Sequence, residues 1–214
     1  LFRAILFDFD GTLADSYEAI TLSVNHVRAQ HSLPPLSESQ IRGLVGHGIF
    51  RLMADVIPGS DPVADAAVYR AHHPSVMYEH TRLLPGVTES VAQLHAAGVK
   101  LAVCSNKPVA ITRKLLDALQ LADSFECACG PEDAGNPKPD PAMIRLALQR
   151  LGVSRDQALY IGDMPLDVET GRIAGVPVWV LPTGSSDIEA LRQAKPDRIL
   201  CSMAELAGAI LSVP

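Results

Sequence analysis

The chain has 214 residues, 48% of them hydrophobic and 20% charged, the balance of a globular protein with a substantial core. Its formal charge of −6 and pI near 5.6 argue against nucleic acid or an anionic membrane as the main partner. They leave room for a small anionic substrate, because a metal can invert the field around a site.

Residues 4–7 form an apolar run rich in strand formers, followed by two acids two residues apart, Asp8 and Asp10, then Gly11 and Thr12. Strand periodicity puts Asp8 and Asp10 on one side if the strand continues. Gly11 instead suggests a turn, which brings both carboxylates to the strand's carboxyl end. Close acids repel unless a cation or a shared proton compensates, although Asp-Gly is also ordinary turn chemistry.

Helical spacing then takes over. Residues 16–31 put Ile20, Val24 and Val27 on one face, with Ser16 near the N-terminus. Ser37 to Gln40 can cap a second helix that reaches Leu44 and Val45. Gly46, His47 and Gly48 interrupt, and a third helix resumes from Ile49 to Ile57. Asp61 and Pro62 open a fourth, which Pro74 kinks or ends. The pattern predicts an all-helical insertion over residues 15–80, with residues 1–14 and 81–214 forming the remaining domain.

From Leu84 onward helices and strands alternate. Helices are predicted at about 88–97, 109–119, 140–152, 166–174, 186–194 and 203–212, with strands at 99–104, 125–129, 158–161, 176–181 and 198–201. Gly98, Gly152 and Gly175 each follow a helix where a left-handed cap is needed. Short glycine turns between helix and strand imply a parallel sheet covered on both faces, hence an α/β fold. Cys104, Cys127, Cys129 and Cys201 show no metal-type spacing and sit in apolar, strand-like surroundings, so buried reduced thiols are expected. With neither a signal-like start nor a segment of membrane-spanning length in the sequence, a soluble cytoplasmic protein is expected.

Ligands of open α/β sheets bind beyond the carboxyl ends of the strands. Here those ends carry Asp8, then Ser105, Asn106 and Lys107, then Asp163 with Asp167 close behind, while the loop before residue 140 adds Lys138. This set fits phosphoryl transfer. Asp8, Asp163 and a carbonyl near Asp10 could hold Mg²⁺, which prefers a few carboxylates and keeps water or phosphate oxygens. A carboxylate can also attack phosphorus. Ser105 and Asn106 could hold phosphoryl oxygens with help from amides of the helix starting near Pro108, and Lys138 would offset their charge.

Asp8-Phe9-Asp10-Gly11-Thr12-Leu13, Ser105-Asn106-Lys107-Pro108, Lys138-Pro139 and Gly162-Asp163 with Asp167 resemble the four ordered motifs of the haloacid dehalogenase superfamily. The resemblance spans almost the whole chain and is nearest to phosphoglycolate phosphatases, through Leu44 to Gly48 and Ser105 to Pro108. It implies a Rossmann-like three-layer core with a parallel sheet and a small helical cap. It also implies Asp8 as nucleophile and Mg²⁺ ligand, and Asp10 as acid and base that also contributes to the metal site. Ser105 and Lys138 would bind the phosphoryl group, Asp163 would ligate Mg²⁺, and Asp167 would support the metal from nearby or through water. Thr12, Asn106, Lys107, Gly46, His47 and Gly48 are further candidates for substrate contact. The implied activity is hydrolysis of a small phosphomonoester, with 2-phosphoglycolate the leading candidate. A phosphomutase and a phospho-accepting sensor remain as alternatives, and monomer and homodimer are both open.

Three positions depart from the family pattern: Met164 stands where Ser or Thr is common, Gly171 where Ala is common, and Pro74 within the third long cap helix. At Gly171 the expected cost is about 1 kcal/mol of helix propensity. Arg42 and Arg51 could meet a substrate carboxylate or lie on a solvated face, and Lys107 could reach substrate or solvent. His72, His73 and His80 lack metal spacing and are expected at the surface or in packing.

Overall fold

The computed structural model describes residues 2–212. The first strand, β1 (Ala4–Phe7), lies in the middle of a six-stranded sheet, and its side chains divide by parity. Ile5 and Phe7 enter one apolar cluster and Ala4 and Leu6 another, so both faces of the strand are buried. β2 (Ala14–Asp15) follows the acidic turn and pairs antiparallel with β3 (Arg82–Leu83).

Between these two short strands run α1 (Tyr17–Gln30), α2 (Glu38–Arg42), α3 (Ile49–Val56) and α4 (Pro62–His72). They pack around a separate cluster that includes Val24, Val27, Ile41 and Met53. Ser37 closes a capping box with Gln40, and Asp61 caps α4 by accepting from the Val63 amide at 2.9 Å. α2 stops at Arg42, short of the expected Leu44 and Val45: the Leu44 amide turns back to Ile41 O at 2.9 Å just after Gly43. α4 gives way at Pro74 to a single 3₁₀ turn, His73–Ser75.

The core continues with α5 (Val87–Ala96), β4 (Lys100–Cys104), α6 (Val109–Ala118), β5 (Cys127–Cys129) and α7 (Pro131–Ala134). Then come α8 (Ala142–Leu151), β6 (Ala158–Gly162), α9 (Pro165–Ala174), β7 (Val178–Val180), α10 (Ile188–Ala194), β8 (Arg198–Ile199) and α11 (Ala204–Leu211). The sheet order is β5-β4-β1-β6-β7-β8, and every pairing is parallel. Apolar residues of α5, α6 and α11 cover one face and those of α8, α9 and α10 the other, giving the three-layer α/β fold. Gly98, Gly152 and Gly175 all adopt the left-handed conformation after their helices, with φ of 76°, 64° and 74°.

Several local expectations change. β7 starts at Val178 rather than 176, because Pro177 has no N–H for the ladder. α7 was not foreseen, since four residues are too few to show a period. Cys201 is exposed and Cys127 half-buried: β8 is a two-residue edge strand that ends before Cys201. Gly171 is a packing requirement rather than a propensity loss. A Cβ there would lie 2.1 Å from Val178 Cγ2 and 3.2 Å from Val176 O. Gly171→Ala is therefore expected to destabilise the protein by about 1–3 kcal/mol, read by urea unfolding, despite alanine's better helix propensity.

Candidate active site

β1, β4 and β6 are adjacent and parallel, so their carboxyl ends deliver Asp8, Ser105 and Asp163 to one edge of the sheet. Asp8 is buried, its amide bonded to Ile161 O at 2.8 Å. Asp8, Asp163 and Asp167 offer carboxylate oxygens within 4.8 Å of one another. Lys138 lies among them, with Nζ 2.9 Å from Asp8 Oδ2, 2.7 Å from Asp167 Oδ1 and 3.1 Å from the Tyr160 hydroxyl.

The four carboxylate neighbours are not equivalent. Asp167 accepts from Lys138 and Tyr160 on Oδ1 and from the amides of Asp163 and Met164, both at 3.0 Å, on Oδ2. Four donors fill its capacity and leave it as a brace. Asp163 accepts from Thr12 Oγ1 at 3.1 Å and the Ser185 amide at 3.1 Å. Asp8 Oδ1 is buried without a hydrogen-bond partner among the described residues. Asp10 sits across the turn, held by Lys107 Nζ at 3.0 Å and by Ser16 Oγ.

Charge is unbalanced here. Burial raises the Asp8 carboxyl to about 6, against the pull of Lys138 and with a further push from Asp167. Burial, then Asp167 and Asp8, also hold Asp163 well above the ordinary carboxylate range. Burial pulls the Lys138 ammonium down, but Asp167 and Asp8 outweigh it and hold it firmly charged. The orphaned Asp8 oxygen beside Asp163, in an all-oxygen donor set, fits a hard divalent cation such as Mg²⁺.

Two glycines keep the edge tight. A Cβ on Gly184 would lie 1.7 Å from Asp163 Oδ2, and one on Gly11, whose φ is +81°, 2.7 Å from the same oxygen. Gly184, Ser185 and the bracing Tyr160 were missed in the sequence. Gly184 and Ser185 lie past the last recognised motif, and Tyr160 reads as one more apolar strand residue.

Above this edge, a cavity of about 50 Å³ opens between α1–α4 and the core. Asp8, Asp10, Ser105, Asn106, Lys107, Gly46 and Gly48 line it together with Tyr17, Tyr69 and His73. Asn106 ties the two sides: its Nδ2 donates to Gly46 O at 2.9 Å, and its Oδ1 accepts from the Lys138 amide at 2.7 Å. Met164 lies against Gly46, where an added Cβ would be 2.2 Å from its sulfur.

The remaining candidates divide between the site and the surface. His47 is exposed and outside the cavity lining, because it points away from a loop whose two glycines face inward. Thr12 is buried on Asp163 rather than facing the cavity. Lys107 is buried on Asp10, not solvent-facing. Arg42 pairs with Glu38 at 3.1 Å and lies 3.8 Å over the Tyr17 ring, and Arg51 pairs with Asp55 at 2.8 Å. Ser16 bonds Asp10 instead of capping α1. The first amide of α6 is taken by Glu132 Oε2 at 3.2 Å.

Comparison with known proteins agrees with this geometry. The family profile described as haloacid dehalogenase-like hydrolase matches residues 5–181. The chain belongs to that family. A phosphoglycolate phosphatase of Rhodospirillum rubrum is 37% identical over 195 residues, covering 86% of this chain and 81% of the relative. The crystal structure of a predicted phosphatase from Clostridium acetobutylicum superposes with a TM-score of 0.90 at 26% identity and covers 100% of both chains. That of a predicted phosphoglycolate phosphatase from Haemophilus somnus 129PT gives 0.87 at 27% identity, covering 98% of both.

The raised Asp8 carboxyl makes a pH prediction. With a folded value of about 6 against 3.8 for a free aspartate, the folded state binds more protons than the unfolded one between those values. Stability from this group is therefore lost as pH rises through that window. In metal-free protein, Asp8→Asn should gain on the parent by about 1–3 kcal/mol between pH 4 and pH 7 in denaturant melts.

Proposed function

We propose that this chain, a phosphoric monoester hydrolase, acts on a small soluble phosphomonoester through a phospho-Asp8 intermediate with Mg²⁺ as cofactor. The observation that carries this reading is Asp8 itself: one carboxylate oxygen on Lys138, the other bare among the described residues, at the cavity wall shared with Asp10. The name of the 37% identical relative makes 2-phosphoglycolate the leading candidate substrate.

Asp8 Oδ1 attacks phosphorus, a P–O bond forms to the carboxylate, and the bond to the substrate's alcohol oxygen breaks. Asp10 gives its proton to that departing oxygen. It then takes a proton from a water, whose oxygen attacks phosphorus and releases phosphate and the free Asp8 carboxylate. Ser16 and Lys107 hold Asp10 in place for both transfers. Ser105, on the cavity wall, donates to a phosphoryl oxygen, and Lys138 offsets the charge of Asp8 and Asp167. Mg²⁺ would be held by Asp8 and Asp163, with the Asp10 carbonyl, and would supply positive charge to the phosphoryl oxygens. Thr12 and the Ser185 amide orient Asp163 for that role, and Asp167 fixes Lys138. The helices α1–α4 exclude bulk water from the cavity and choose the alcohol.

Purified protein with Mg²⁺ should release phosphate from a panel of small phosphomonoesters. Asp8→Asn should abolish the release, and Asp10→Asn should lower kcat by about 10²–10⁴. Equal activity in the parent and Asp8→Asn contradicts the reading, and so does conversion of sugar phosphates to isomers without free phosphate.

A further inference from the structure

The cavity holds a polar group that the chemistry at Asp8 leaves unused. His73, at the end of α4, is 0% exposed and lines the cavity. Its Nδ1 lies 2.9 Å from Ser23 Oγ on α1, and its ring stacks on Tyr69 with centroids 4.9 Å apart. Those contacts fix the imidazole on one side. Its Nε2 is buried with no hydrogen-bond partner among the described residues. Buried polar groups are nearly always paired, so a partner that enters the cavity accounts for this atom.

The neighbours say what kind of partner. The polar side chains that α1–α4 and the turn after α4 bring to the cavity are Tyr17, Tyr69 and His73; the large side chains beside them are apolar. All three can donate a hydrogen bond and none is acidic. Burial, then Lys107 and His72, push the imidazole down to about 3, so the ring is neutral and can carry its proton on either nitrogen. Ser23 Oγ also lies 3.0 Å from Ala19 O, and turning its hydroxyl to Nδ1 leaves the proton on Nε2. Burial and nearby carboxylates keep both phenols protonated. A substrate hydroxyl offers one acceptor oxygen, whereas a carboxylate offers two to the Nε2–H and the neighbouring phenol protons. A carboxylate accepts only, and it selects the Nε2–H form of the ring.

We propose that His73 is a specificity-determining residue whose Nε2–H, with the Tyr69 phenol stacked beside it, binds the carboxylate of a small phosphorylated acid. The inference rests on the phosphatase reading of Asp8 and names the group that reads the far end of the substrate.

The test compares kcat/KM for 2-phosphoglycolate, 2-hydroxyethyl phosphate and ethyl phosphate, with Mg²⁺, in the parent and in His73→Phe and His73→Gln. The parent should prefer 2-phosphoglycolate. In His73→Phe the preference for it over ethyl phosphate should fall at least about tenfold, chiefly through KM, and His73→Gln, which keeps a donor, should recover most of it. An independent readout leaves His73 intact: adding 2-phosphoglycolate to Asp8→Asn protein should move the ¹⁵N resonances of this imidazole to the Nε2–H pattern, and ethyl phosphate should not. An unchanged preference in His73→Phe, or unmoved imidazole resonances, overturns the inference while leaving the phosphatase reading intact. Failure of the parent to hydrolyse any ester of the phosphomonoester panel removes that reading, and the inference with it.

Discussion

Three buried carboxylates cluster around Lys138, which pairs with two of them, and the rest of the site follows from that deficit. Lys138 reaches Asp8 and Asp167 but, among the described residues, Asp8 Oδ1 is left bare and Asp163 has no ammonium within hydrogen-bond distance. Such a cluster is costly to bury, and the cost appears as the upward push on Asp8 and Asp163. A cation held by Asp8 and Asp163 would remove it. The strain is tolerated because the cluster is braced elsewhere: Asp167 receives four hydrogen bonds, and Tyr160 and the Asp163 and Met164 amides hold it still.

Parallel strand order is what makes the bracing possible. With β1 between β4 and β6, side chains separated by about a hundred residues in sequence converge without long loops. The same edge connects to the helical insertion. Asn106 holds both the Lys138 loop and Gly46, so a contact between the two parts of the molecule passes through a residue of the cavity wall. Met164, where the family pattern favours Ser or Thr, packs on Gly46 and makes that contact apolar as well.

Much of the fold was legible because its signals are local. Alternating strands and helices, the capping box at Ser37 and the three left-handed glycines each depend on a few neighbouring residues. The acids at the strand ends stood out because charge at the end of an apolar run is conspicuous. What was hidden depends on distant pairs. Nothing in the sequence near Gly171 reveals Val178 packed against it, and nothing near Thr12 reveals Asp163 as its acceptor. For His73 the sequence left surface and packing roles open, since its burial under Tyr69 and its bond to Ser23 arise only when α1 and α4 pack. His47 stood out for the opposite reason: a histidine between two glycines looks functional, yet it faces solvent.

The central claim is that the carboxylates around Lys138 would take up one divalent cation. Isothermal titration of the purified protein with Mg²⁺ measures this directly. The account predicts one ion bound per chain, with binding lost in Asp163→Asn while the variant stays folded. Absence of Mg²⁺ binding by the parent, or equal binding by Asp163→Asn, would contradict it.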